Sequence, residues 1–181
     1  MMDQMITRWI NGWAGTWPTL DAVAIAIAAY GIYAMVGLVA LQWFARRDRP
    51  FLRHVAVSAC GAFFVGLGLN QLILLAAHRV RPYDMGVTHL IIAKSTDWSF
   101  PSDHATAAAA IAAVVLIKGV WGRGVLLAWL AVLVCWSRVY VGIHYAGDVA
   151  GGVVVGIAAA GLVAIVYRRG NRVDRALTQL L

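Results

Sequence analysis

The sequence predicts an all-α, polytopic membrane bundle: about five transmembrane helices preceded by a short amphipathic helix. Three observations carry this reading. Hydrophobic residues make up 62% of the 181 and charged residues only 13%, and the mean hydropathy of +0.77 is too high for a water-soluble fold. Several apolar runs approach or exceed the roughly 18 residues that read as a membrane span. No run alternates with the period of a membrane strand, and a backbone in lipid must satisfy its own hydrogen bonds, which leaves helices. The length gives room for one domain, 1–181.

In the first seventeen residues Met2, Met5, Ile6, Trp9, Ile10, Trp13 and Trp17 recur at helical spacing, and Asp3, Gln4, Thr7, Arg8 and Asn11 fill the other side. A Trp-rich helix lying in the headgroup plane fits this pattern. So does a short helix packed on the bundle. With Asp3 and Arg8 and no continuous apolar core, the segment does not read as a cleavable signal. Pro18 can open the next helix, because a first-turn proline loses no intrahelical bond. Five spans are then expected at 20–44, 55–77, 105–120, 125–139 and 146–167. The third and fourth are short, and 168–181 reads as a basic cytoplasmic tail. In the fifth span Gly152 and Gly156 share a helical face with Asp148 and favour close packing against its neighbours.

The net charge is +7 and the pI near 10.0, but the basic residues sit in short loops between apolar runs. That is how membrane topology is written. No basic face or aromatic–basic module for nucleic acid is present. Of the fifteen Lys and Arg, ten fall on one side: Arg46, Arg47, Arg49, Arg53, Lys118, Arg123, Arg168, Arg169, Arg172 and Arg175. The other five are Arg8, Arg79, Arg81, Lys94 and Arg138. The first side is expected to face the cytoplasm of a bacterial plasma membrane. Cys60 and Cys135 lie inside apolar runs and read as buried thiols without redox meaning.

The five external cations coincide with the other unexplained polar residues. These are Arg81-Pro82 after the second span, Pro101-Ser102-Asp103-His104 entering the third, and Ser137-Arg138 with His144 and Asp148 between the fourth and fifth. Arginines can hold phosphate oxygens in a forked geometry. Ser102 sits where a helix N-cap belongs, so free backbone N–H groups and the positive end of the helix dipole point outward. His144 and Asp148 are one helical turn apart, which lets a carboxylate orient an imidazole as a nucleophile. A second imidazole, His104, can protonate a leaving oxygen.

These motifs resemble the type 2 phosphatidic acid phosphatase family, whose signature is K-x6-R-P, P-S-G-H and S-R-x5-H-x3-D. The resemblance covers residues 81–148 by motif and most of the chain by span layout. It implies a lipid phosphatase working through a phosphohistidine, with His144 as nucleophile, Asp148 orienting it and His104 as general acid. Arg81, Arg138, Ser102 and nearby backbone N–H groups would hold the phosphoryl oxygens. Two positions depart from the signature. The lysine position is Leu74, so Arg79 becomes the first candidate for the missing cation and Lys94 the second. Asp103 replaces the signature glycine at the phosphate side. P-S-D-H followed by Ala-Thr resembles the bacitracin-resistance type of undecaprenyl diphosphate phosphatase, as does Ile10-Asn11-Gly12 before Pro18 and Asp21.

No metal or other cofactor is expected, because the chain has no Glu and its eight acidic residues are scattered. The partners are a membrane lipid and water. A polyprenyl diphosphate is the first choice of substrate, and a glycerolipid phosphate such as phosphatidate or phosphatidylglycerol phosphate the alternative. Intramembrane ionisable groups also mark transport paths, but only Asn70 and Gln71 stand near the bilayer centre, which disfavours a transporter or a mere lipid-binding protein.

Overall fold

The computed structural model describes residues 2–46 and 48–179. Arg47, one of the ten charges expected on the cytoplasmic side, lies outside the described residues. Seven α-helices follow one another and no strand occurs among the described residues. They are α1 (Met2–Asn11), α2 (Pro18–Leu41), α3 (Arg49–Leu74), α4 (Asp103–Ile117), α5 (Trp121–Tyr140), α6 (Ala146–Val166) and α7 (Arg172–Thr178). Helices α2, α3, α5 and α6 are long and apolar enough to cross a membrane, while α4 is a shorter apolar helix. This is an integral membrane protein.

Proline sets two of the starts. Pro18 opens α2 as expected, and Pro50 lies in the first turn of α3. Helix α3 therefore begins at Arg49, six residues before the expected 55. Hydropathy waits for the apolar run beyond Arg53 and His54, whereas the helix starts where proline's fixed φ is already helical. Helix α5 likewise starts at Trp121 and runs twenty residues, long enough for a full span where a short one was expected.

Helix α4 is the centre of the bundle. Residues 105–112, Val114 and Val115 are all buried, and mostly alanine side chains let α3, α5 and α6 close around it. An enclosed helix need not match the bilayer thickness, which is why fifteen residues suffice. It ends at Lys118, with Gly119 at a positive φ of 83° supplying the left-handed stop. The closest approach is to α6. A Cβ at Gly156 would collide with the Thr106 carbonyl oxygen, and one at Gly152 with that of Ser102, so these two glycines perform the packing role read from the sequence.

The expected basic tail is instead a structured element. Asn171 caps α7 by accepting the Asp174 N–H. Asp174 then pairs with His54 Nδ1 at 2.8 Å and accepts from the Tyr167 hydroxyl and the Gly170 N–H, while Arg53 donates to the Thr178 carbonyl. Folding α7 back onto α3 explains why Arg53 and His54, at the start of a span, are buried.

Helices α2 to α6 run in alternating directions. Residues 42–46, the α4–α5 connection and α7 therefore gather at one end of the bundle. Helix α1, the 75–102 connection and residues 141–145 gather at the other.

Helix α1 packs on the bundle, one of the two alternatives raised by its sequence. Met2, Met5 and Trp9 project outward, Trp9 with 76% of its surface exposed, as suits an interfacial helix. Its polar stripe Asp3–Thr7–Asn11 faces the protein. Asn11 donates to the Tyr140 and His89 carbonyls and accepts from the His89 N–H.

Candidate active site

His144 lies in the buried connection between α5 and α6. Its Nδ1 is 2.9 Å from the Ser99 carbonyl oxygen. A carbonyl can only accept, so Nδ1 carries the hydrogen and Nε2 is left with a free lone pair. Burial lowers the pKa of His144 below its ordinary 6.5. The nearby Asp148 carboxylate opposes this, and the charges of Arg138 and Arg81 reinforce it. The imidazole is therefore neutral at neutral pH.

Asp148 is fully buried in the first turn of α6, but it does not hydrogen-bond the imidazole directly, as the His-x3-Asp spacing led one to expect. Its Oδ2 is 3.7 Å from His144 Nδ1, because Ser99 stands between the two. The Ser99 hydroxyl donates to Asp148 Oδ2 at 2.5 Å while its carbonyl takes the imidazole proton. Asp148 Oδ2 also accepts the Tyr145 N–H at 2.9 Å, closing a reciprocal cap on α6, and Oδ1 accepts from Arg79 at 2.7 Å. Ser99 is a residue the sequence reading missed. It belongs to no motif, and its contacts lie 45 and 49 residues away.

Ser102 is the N-cap of α4, its hydroxyl accepting from the Ala105 N–H, as expected. The first-turn N–H groups of Asp103 and His104 have no intrahelical acceptor, so this end of the helix can receive an anion. His104 is half-buried in that turn, within electrostatic reach of Arg138 and His144. Asp103 departs from its expected phosphate-side role. Its carboxylate accepts from the Asn70 amide at 2.7 Å and ties α4 to α3, and a carboxylate would in any case repel a phosphate. Asn70 also reaches Thr106, which in turn donates to the Gly152 carbonyl. Asn70, expected near the bilayer centre, thus stands near the end of α3 beside the first turn of α4, and its amide is used in packing.

The two signature arginines are held differently. Arg81 is buried and its fork is filled: Nε and Nη2 reach the Asp97 carbonyl (3.0 Å) and carboxylate (2.6 Å), and Nη1 the Ile143 carbonyl (2.9 Å). It staples the 75–102 connection to the residue before His144. Burial tends to raise the pKa of Asp97, but hydrogen bonds from Ser95 and Arg81 outweigh it and hold the carboxyl below its ordinary value. Arg138 is buried as well, yet its Nε has no partner among the described residues and its Nη1 meets only the Ala28 carbonyl at a long 3.4 Å. Buried donors are rarely left unmet, so Arg138 is the guanidinium best prepared for an anion.

Neither candidate for the missing lysine fills that place. Arg79 is bound by two carboxylates, Asp148 at Oδ1 and Asp3 on α1, and its guanidinium lies 3.9 Å from the centre of the Tyr145 ring. Lys94 pairs with Asp84 at 3.2 Å on the exposed surface. Two carboxylates thus balance the charge of Arg79. No three described His, Cys, Asp or Glu side chains form a group that could hold a metal ion.

This end of the bundle thus brings together a neutral imidazole with an open Nε2, a second imidazole, an underbonded buried arginine and a helix N-terminus, the parts a phosphoryl-transfer site requires. The class it defines is a membrane phosphatase with a helical-bundle fold. The model of the PAP2 superfamily matches residues 20–172. Among curated proteins, the undecaprenyl-diphosphatase BcrC of Bacillus subtilis is 32% identical over 158 residues, covering 86% of this chain and 79% of its own length. A decaprenylphosphoryl-5-phosphoribose phosphatase of Mycobacterium tuberculosis is 36% identical over 160 residues, covering 81% and 80%. Among solved structures, a PAP2-type phosphatidylglycerolphosphate phosphatase of Bacillus subtilis superposes with a TM-score of 0.70 at 24% identity, covering 94% of this chain and 87% of that one, a likeness of fold. The chain belongs to the PAP2 superfamily and is a membrane lipid phosphatase.

Proposed function

We propose that the chain hydrolyses a polyprenyl diphosphate, most simply undecaprenyl diphosphate, to the monophosphate at the non-cytoplasmic surface of a bacterial plasma membrane. The observation that carries the chemistry is the Ser99 carbonyl on His144 Nδ1, which leaves Nε2 as an in-line nucleophile. Nε2 attacks the terminal phosphorus, the bond to the bridging oxygen breaks, and His104 gives its proton to the departing lipid monophosphate. Water then attacks the phosphohistidine, returning a proton to His104 and releasing phosphate. Arg138, Arg81, Ser102 and the first N–H groups of α4 hold the phosphoryl oxygens. The half-exposed Asp97 carboxylate is the group a phosphate displaces from Arg81. The polyprenyl chain is supported by the named activities of the two curated relatives, both of which act on polyprenyl-linked phosphates. Phosphate release from undecaprenyl diphosphate, phosphatidate and phosphatidylglycerol phosphate, compared on purified protein, tests the choice. The diphosphate is expected to give the highest kcat/KM, and preference for a glycerolipid would overturn it.

Two further outcomes follow from this reading. Activity should persist in EDTA and be inhibited by vanadate, whose trigonal bipyramidal form resembles the phosphoryl transition state. A loss in EDTA that Mg or Zn restores would refute the metal-free route. The charge asymmetry supports an outside location for the α1 end. With Cys60 and Cys135 replaced by Ala, Met85→Cys should react with a membrane-impermeant maleimide in intact cells and Arg123→Cys should not. The reverse pattern would invert the topology.

A further inference from the structure

Helix α6, which carries Asp148, begins without the usual arrangement for its first-turn N–H groups. The Ala146 N–H donates to the Thr7 hydroxyl at 3.0 Å, and the Gly147 N–H to Asp3 Oδ1 at 2.7 Å. Both acceptors come from α1, more than 130 residues away in sequence. Side chains of one helix thus cap another, a task normally done by the N-cap residue itself. The second oxygen of Asp3 holds Arg79 Nη2, whose Nη1 holds Asp148 Oδ1. Asp3 therefore touches the Asp148 turn by two routes, the backbone of Gly147 and the guanidinium of Arg79. Asp3 and α1 precede residue 20, where the match to the superfamily model begins.

We propose that Asp3 is a positioning residue of the reaction: through Arg79 and the Gly147 N–H it fixes Asp148, and it thereby makes the catalytic geometry depend on α1 being docked at the membrane surface. The apolar face of α1 (Met2, Met5, Trp9) is exposed while its polar stripe is wired to the site. A helix held between lipid on one side and the Asp148 turn on the other can transmit its placement to that turn. The inference rests on the phosphatase reading above.

The test measures kcat, KM and melting temperature in lipid–detergent micelles, with farnesyl diphosphate and phosphatidate as probes. Asp3→Asn keeps the size but removes the charge that balances Arg79. It is expected to lower kcat about tenfold with KM changed less than about twofold, and Asp3→Glu should recover part of the loss. Arg79→Ala should lower kcat/KM at least about tenfold. The double variant should be no worse than Arg79→Ala alone, since the asparagine keeps an oxygen for the Gly147 N–H and Asp3→Asn therefore alters only the Arg79 route. Asn11→Ala loosens α1 at its far end without touching a carboxylate. It should lower the melting temperature and lower kcat clearly less than Asp3→Asn does. Wild-type kcat in Asp3→Asn, additive losses in the double variant, or equal kcat losses in Asn11→Ala and Asp3→Asn would each overturn the proposal. If the wild type turns over neither probe, the phosphatase reading itself fails and this inference falls with it.

Discussion

His144→Ala is expected to reduce phosphate release to background, a loss of more than about 10⁴-fold in kcat, because a covalent route has no substitute nucleophile. The neighbouring imidazole cannot take over. His104 stands on the first turn of α4, where in the proposed mechanism it serves the leaving oxygen and does not attack phosphorus. The variant should still fold, since it removes one hydrogen bond and leaves the Ser99 carbonyl unmet, a cost of about 1–3 kcal/mol. A circular dichroism spectrum like that of the wild type separates lost chemistry from lost structure. The wild-type pH profile tests the same group. Burial pulls the His144 pKa below 6.5, so Nε2 keeps its lone pair as pH falls past that value and loses it only lower. The acid limb of kcat/KM, which reports the free enzyme, should therefore lie below pH 6.5. Retained turnover in His144→Ala would remove the mechanism.

What the sequence made legible was local. His144 and Asp148 are one turn apart, Ser102 precedes an alanine run as an N-cap should, and apolar runs count out the spans, because each signal is contained within a few residues of itself. What stayed hidden depends on distant partners. Periodicity revealed that Asp3, Thr7 and Asn11 share a face of α1, but a polar face looks the same whether it meets water or, as here, Arg79, Ala146 and Tyr140. Arg79 was visible as a cation near the site, and its charge suggested a phosphate. Its actual partners, one at the N-terminus and one 69 residues later, could not be inferred from spacing. The same holds for α7. The segment reads as a charged tail until Asp174 finds His54, 120 residues earlier. Asp97 likewise reads as a loop carboxylate until the fold sets it on Arg81.

Asp148→Asn should lower kcat by about 10² to 10³-fold, some 2.7–4 kcal/mol of transition-state stabilisation, and so leave more activity than His144→Ala. In a serine-protease triad the equivalent change costs about 10⁴, because the carboxylate alone fixes the histidine tautomer. Here the tautomer is fixed by the Ser99 carbonyl, which the substitution does not touch. What disappears is the negative charge 3.7 Å from Nδ1, which stabilises the imidazole as it becomes positive on taking the phosphoryl group. The asparagine also cannot serve all of Asp148's donors. Arg79 bonds Oδ1, while the Ser99 hydroxyl and the Tyr145 N–H bond Oδ2. If the amide oxygen stays with Ser99 and Tyr145, the NH₂ group faces the Arg79 guanidinium. If it flips, the NH₂ faces the Tyr145 N–H, and the cap on α6 is lost. Either way a donor meets a donor in a site that is fully buried, and the turn carrying His144 loosens. Steady-state kcat on the preferred lipid, measured beside His144→Ala, decides the matter. A loss as complete as that of the nucleophile variant would mean that Asp148 itself takes the Nδ1 proton in the working enzyme, and that the Ser99 carbonyl does not set the tautomer.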